Sequence, residues 1–179
     1  MVKRKSIKEY LAESAIELLS RHPVEKVTVT LIARNCGLST RTFYNNFKDK
    51  YDLFLWIYTQ KLEEYYQSNL DHMSFRTFIY YSGQILVDYY DFFFNYQQYR
   101  GQNHFHQAVF QPLFDFYIRI IREIFHDPVT QEIRESTAFF VLGMLEYVDR
   151  FYHRGHLPSL SDTVDVFARA IPENLKKYL

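Results

Sequence analysis

Arg41 and Asn45 stand four residues apart in Ser39-Thr-Arg-Thr-Phe-Tyr-Asn-Asn-Phe47, and the chemistry open to them is hydrogen bonding to the edges of bases. At about 100° per residue, a helix through this stretch puts both on one face, while Phe43 and Phe47 lie within about 40° of each other on the opposite one. A guanidinium fork matches the two acceptors that guanine presents in the major groove, and a carboxamide can both donate to and accept from a base. Ser39, Thr40 and Thr42 add hydroxyls of shorter reach on the same segment. The two rings would anchor the helix from behind while the polar side chains point outward.

Other residue types able to do chemistry do not converge. Of the seven histidines, His104 and His106 would stand about 200° apart on a helix, so only a loop or strand could bring them to one metal, and no adjacent third ligand has the right spacing. His153 and His156 straddle Arg154-Gly155, a helix end. Surface or pocket histidines are the expectation, with no metal and no cofactor. Glu63-Glu64 falls on a solvated helix, and neither a glycine-rich phosphate loop nor a nucleophile motif is present. An enzyme is therefore not expected.

Positioning Arg41 and Asn45 falls to residues 28 to 50, which read as two short helices joined by a glycine turn, the layout of a helix-turn-helix. Thr28 caps the first, which would bury Leu31, Ile32 and Cys36 before Gly37 ends it in a left-handed residue; Ser39 caps the second. Upstream, Ser6-Ile-Lys-Glu9 is a capping box, followed by an apolar stripe of Ile7, Tyr10, Leu11, Ala15, Leu18 and Leu19 until His22-Pro23. Downstream, Asp49 can cap a long helix carrying Leu53, Phe54, Ile57, Tyr58, Leu62, Tyr65 and Tyr66.

This stretch resembles the N-terminal domain of TetR-family transcriptional regulators. The resemblance rests on Thr28-Val29, Ile32-Ala33, Cys36-Gly37-Leu38-Ser39, Thr42-Phe43-Tyr44, Phe47, Lys50 and the pair Leu53-Phe54. It implies that Tyr44, Lys48 and Lys50, with Thr28 or Thr30, clamp phosphates, setting register while the outward face reads sequence. Cys36, Asn46 and His22-Pro23 depart from the usual pattern, Asn46 at a position where the family commonly has histidine or tyrosine. Arg100-Gly-Gln-Asn-His-Phe105 is loosely similar to a branch with short regulatory domains, the dihydroxyacetone-kinase regulators.

The chain of 179 residues carries 21 basic and 21 acidic residues and no net charge, yet the charge is divided. Residues 1–50 hold ten Lys/Arg against five acids, and the remainder 11 against 16. A basic head suits phosphate and a mildly acidic body does not. The single Cys36 cannot form an intrachain bridge, no signal peptide follows Met1-Val-Lys-Arg-Lys5, and no apolar run reaches the roughly 20 residues that span a bilayer. A cytoplasmic location is expected.

Beyond residue 50 lie 30 of the 34 aromatic residues, and the periodicity predicts helices near 50–70, 74–94, 104–126, 130–153 and 161–176, with no useful strand pattern. The fold class is thus all-α: a three-helix helix-turn-helix domain over 1–48 and a helical regulatory and dimerisation bundle over 49–179. So many rings suit a solid core or a bundle enclosing a pocket. The family resemblance implies a small-molecule site there, with Phe78, Tyr81, Tyr89, His104, Phe114 and Tyr117 as candidates. It also implies that the last two helices form a four-helix dimer interface, assigned to Ile133, Thr137, Phe140, Val141, Met144, Val148, Val164, Phe167, Ala168 and Ile171. Apolar spacing alone equally allows these residues an intrachain core role.

Together these readings predict a homodimeric, ligand-responsive regulator that binds a pseudo-palindromic duplex DNA operator and is released by a small molecule, a repressor by family default. The alternative is a helical interaction module whose basic head binds protein or an anionic membrane.

Overall fold

The computed structural model describes residues 5–98, 105–155 and 157–179, all helices and connecting turns with no strand among them. His104 and His156, and all of Arg100-Gly-Gln-Asn-His-Phe105 except Phe105, lie outside the described residues, as do the side chains of Tyr152 and His153. The chain divides into two compact units, Met1–Gln60 with Tyr89–Phe105, and Lys61–Asp88 with His106–Leu179. The described residues 49–60 and 89–98 group with the N-terminal helices.

The first unit holds α1 (Ile7–Leu19), α2 (Val29–Asn35), α3 (Thr40–Tyr44), the start of α4 (Lys50–Ser68) and α6 (Tyr90–Gln97). Its helix starts follow the local chemistry. The Ser6–Glu9 capping box is complete, with Glu9 N–H donating to Ser6 Oγ at 3.2 Å and Ser6 N–H to Glu9 Oε2 at 2.6 Å. Asp49 caps α4 by accepting from the Tyr51 and Asp52 amides at 2.8 and 2.9 Å. Leu11, Ala15, Leu18 and Leu19 are buried on α1, whereas Ile7 and Tyr10, expected on the same stripe, are exposed. Phe54 meets Phe92 and Tyr96 edge-on, and Tyr58 meets Phe93 and Phe105, so α6 closes the core with rings.

The second unit holds the rest of α4, α5 (Phe75–Asp88), α7 (Phe105–Arg119) from His106 onward, a π turn (Ile120–Ile124), α8 (Gln131–His153) and α9 (Leu160–Ala170). Phe75, Phe78 and Tyr117 form its aromatic centre, with Tyr117 also edge-on to Phe140. Two expected helices are shorter than the periodicity suggests. The stretch 74–94 is broken at Tyr89, whose backbone leaves the helical region (φ −115°, ψ 37°) without a glycine or proline to announce it. The last helix stops at Ala170, because Ile171 precedes Pro172 and is driven to extended backbone (ψ 136°); a 3-10 turn, Glu173–Tyr178, follows.

Candidate nucleic-acid interface

Helix α3 spans little more than one turn. Ser39 accepts from the Thr42 amide at 3.0 Å to start it, and Asn45 ends it. Phe43 is fully buried and Phe47, one hydrogen-bonded turn further on (Phe47 N–H to the Phe43 carbonyl, 2.9 Å), is buried too, their rings 5.9 Å apart. Phe47 lies just past the helix rather than on it, but both rings anchor it as the spacing requires. Lys8 of α1 stands over the Phe47 and Trp56 rings, 5.3 and 5.9 Å from their centroids.

With those rings inward, Thr40, Arg41, Tyr44, Asn45 and Lys48 are exposed, Tyr44 to 60%. An exposed tyrosine of that extent beside an exposed arginine offers a phenol and a guanidinium to the same partner. Ser39 and Thr42 are less available, since their hydroxyls pair with each other at 2.8 Å. Asn46 turns its amide back onto the Thr42 carbonyl at 2.8 Å, which removes it from the outward set.

Helix α2 is set against α1 by a polar clasp that the sequence pattern does not announce. Buried Ser14 donates to the Ile32 carbonyl at 2.7 Å and accepts from Asn35, which also reaches Glu17. Of the three residues expected to be buried on α2, only Ile32 is; Leu31 and Cys36 are half-buried, the Cys36 thiol donating to the Ile32 carbonyl at 3.3 Å. Desolvation holds that thiol above its ordinary pKa. Gly37 takes the left-handed conformation (φ 71°), as the turn requires. Thr28 caps α2 through the Leu31 amide at 3.1 Å, and Thr30 is exposed in its first turn.

Lys50 is placed differently from the other candidates. It is half-buried, and its ammonium donates to the Val24 and Val27 carbonyls at 2.6 and 2.9 Å. Burial pushes its pKa below the ordinary lysine value, with Glu25 and Asp49 acting in the other direction.

Phe78 and Tyr117 are fully buried and pack ring to ring, 5.1 Å apart; Tyr89 groups with the first unit. Phe114 stacks along its own helix on Phe110. Tyr81 lines an open groove of about 390 Å³ between α5 and α9, with Arg76, Tyr80, Val164 and Asp165.

Most of the residues expected at a dimer interface are covered within one chain. Ile133, Thr137, Phe140, Val141 and Met144 on α8, with Val164, Phe167 and Ile171, are buried within one chain, while Val148 and Ala168 are half-buried. The buried ones belong to the unit's own core, a role that helical spacing alone equally allows. The outward stripe of α8 is instead Glu135, Phe139, Leu142, Gly143, Glu146 and Arg150; Phe139 is 77% and Leu142 48% exposed, and nothing lies within 4 Å of a Cβ built on Gly143.

Among the described residues no group of three or more His, Cys, Asp or Glu is placed to hold a metal, and no helix is long and apolar enough to cross a membrane.

Residues 11–57 match the family model for bacterial regulatory proteins of the tetR family. Among solved structures, the chain is similar to the dihydroxyacetone kinase operon activator DhaS, at 14% identity with a TM-score of 0.69, over 96% of this chain and 97% of that one. It is also similar to the fatty acid degradation regulator FadR from Bacillus halodurans, at 14% identity and a TM-score of 0.61, over 97% and 99%. No curated protein matches it.

Proposed function

From a TetR-family DNA-binding segment at residues 11–57, we propose that this chain is a homodimeric transcriptional regulator that reads a pseudo-palindromic operator. The observation that carries the reading is the two-sidedness of α3 and the turn that follows it: Phe43 and Phe47 sunk into the core, Arg41, Tyr44, Asn45 and Lys48 exposed. Arg41 and Asn45 choose bases, and Tyr44 and Lys48 hold phosphate. Selection of bound duplexes from random DNA tests this: a half-site repeated with two-fold symmetry supports it, and recovery of unrelated sequences rejects it.

The second copy is assigned to the outward stripe of α8. Two aligned stripes would bring Phe139 and Leu142 together across the gap that Gly143 leaves, with the Glu146–Arg150 pair at the margin.

The effector is assigned to the second unit, with the α5–α9 groove at Tyr81 as its site. Its binding would act through α4, which contributes residues to both units, and release requires a ligand that prefers the non-binding spacing of the two heads. Repression relieved by the effector is the simpler sign. Activation is the second reading, favoured by the similarity to DhaS, an operon activator. A reporter driven from the selected operator separates the two: output rises on deleting a repressor and falls on deleting an activator.

A further inference from the structure

Resting on the reading of the first unit as a DNA-binding head, we infer that Lys50 is a positioning residue that stitches the loop between α1 and α2 to the start of α4, and that phosphate binding falls to Lys48. An ammonium has three N–H donors. Two of those on Lys50 are committed to loop carbonyls 26 and 23 residues away in sequence.

The loop needs those donors. Val24 and Val27 bury their side chains almost completely, which draws the backbone between them inward, where carbonyls require partners. The Val24 carbonyl also accepts from the Val27 amide at 3.2 Å, so the ammonium fastens both ends of one turn. Val27 immediately precedes Thr28, the cap of α2, and Lys50 is the first residue of α4. One side chain thus fixes where the first helix of the helix-turn-helix begins relative to the helix that follows the second.

The charge is also engaged from within. Glu25 and Asp49 act on the ammonium, and the Tyr51 ring faces it at 5.2 Å. Lys48, two residues earlier, is exposed, and its backbone amide serves the fold by donating to Asp52 Oδ2 at 2.9 Å.

The experiment uses the full chain, a duplex recovered by selection and sheared genomic DNA, and compares Lys50→Met and Lys50→Arg with Lys48→Ala. Lys50→Met is expected to speed hydrogen exchange at the Lys26 and Val27 amides and, with both charge-assisted bonds to the loop lost, to weaken the selected duplex by about tenfold, as part of their contribution goes into reordering the loop on DNA. The slope of log K against log salt should stay at the wild-type value. Lys50→Arg, which can donate to both carbonyls, should restore protection and affinity together. Lys48→Ala should reduce the slope by about 0.9, the loss of one phosphate contact, with exchange unchanged. A Lys50→Met protein whose slope falls by about 0.9 while its loop stays protected overturns the assignment. If Lys50→Met does not fold, Lys50→Gln decides on the same two readouts, because it keeps a donor and loses the charge. Should the wild-type chain bind neither DNA, the DNA-binding reading fails, while the exchange measurement still decides whether Lys50 holds the loop.

Discussion

Asn95 donates its side-chain amide to the Leu19 carbonyl at 2.8 Å, across 76 residues of sequence, and so closes the last turn of α1 with a residue from α6. The final carbonyls of a helix have no partner of their own, and a buried one left unmet costs stability. The same helix brings Phe92, Phe93 and Tyr96 into the ring cluster around Phe54 and Tyr58. Replacing Asn95 by Ala should therefore lower stability by about 1 kcal/mol, the net worth of one such bond. Urea unfolding checks it; an unchanged midpoint would mean that water caps Leu19 equally well.

That contact also marks how far the sequence can be read. Apart from the burial expected at Ile7, Tyr10, Leu31 and Cys36, the features set by residues three or four apart are legible: the Ser6–Glu9 box, the caps at Thr28, Ser39 and Asp49, the burial of Phe43 and Phe47. Those signals act within one turn, so the local string contains them. Asn95, Ser14 and the Lys50 ammonium act over 18 to 76 residues, and no local pattern distinguishes them from solvated polar side chains. The break at Tyr89 has no glycine or proline, whereas the stop at Ile171 does carry its signal, the proline that follows it. The stripe on α8 shows a different limit. Ile133, Phe140 and Met144 have the spacing of an interface, but spacing names a face and not the chain that covers it.

Arg41→Ala should cost the selected duplex about 1–3 kcal/mol and relax preference at one base pair of each half-site, because a guanidinium that reads a base edge is replaced by a group that cannot. Arg41 is exposed, so the fold should be untouched. Tyr44→Phe, which removes only the phenol hydroxyl, should weaken all duplexes alike. Binding titrations against single-base variants of the site distinguish the two; equal losses at every variant for Arg41→Ala would assign it to phosphate.

Phe139→Glu on the outward stripe of α8 should convert a dimer to a monomer without unfolding it, since the side chain is mostly solvent-exposed within one chain. Two such carboxylates facing each other across a two-fold axis would repel, in addition to the lost apolar contact. Phe140→Glu, one residue on, is buried and should unfold the second unit instead. Sedimentation with circular dichroism reads both; a Phe139→Glu protein that keeps the wild-type mass would move the interface elsewhere.

Arg119 predicts the pH dependence of the second unit. Its guanidinium binds Glu63 at 2.7 Å and Glu123 at 2.9 Å and lies over the Tyr66 ring, 4.1 Å from the centroid, while Tyr66 donates its hydroxyl to Glu123 at 3.1 Å. The hydrogen bond from Arg119 holds Glu123 below the ordinary carboxylate value. At Glu63, burial acts upward, but the bonds from Gln67 and Arg119 outweigh it. Both carboxylates therefore contribute stability that is present above their unfolded pKa, about 4.3, and is lost as pH falls through their lower folded values. Tyr66 runs the other way: burial, then its bond to Glu123, pushes it up to about 12, so its contribution is intact below its unfolded pKa and is lost as pH rises toward that value. Arg119→Ala should lower the neutral plateau of a stability–pH profile and flatten its acid limb, because carboxylates whose folded pKa returns toward the unfolded value no longer lose stability as pH falls. The alkaline limb should survive so long as Tyr66 keeps Glu123. Thermal melts across both limbs check this, and an acid limb identical to wild type would mean that the half-exposed carboxylates are screened by solvent and that the packing of Arg119 on Tyr66 is what holds α4 to α7.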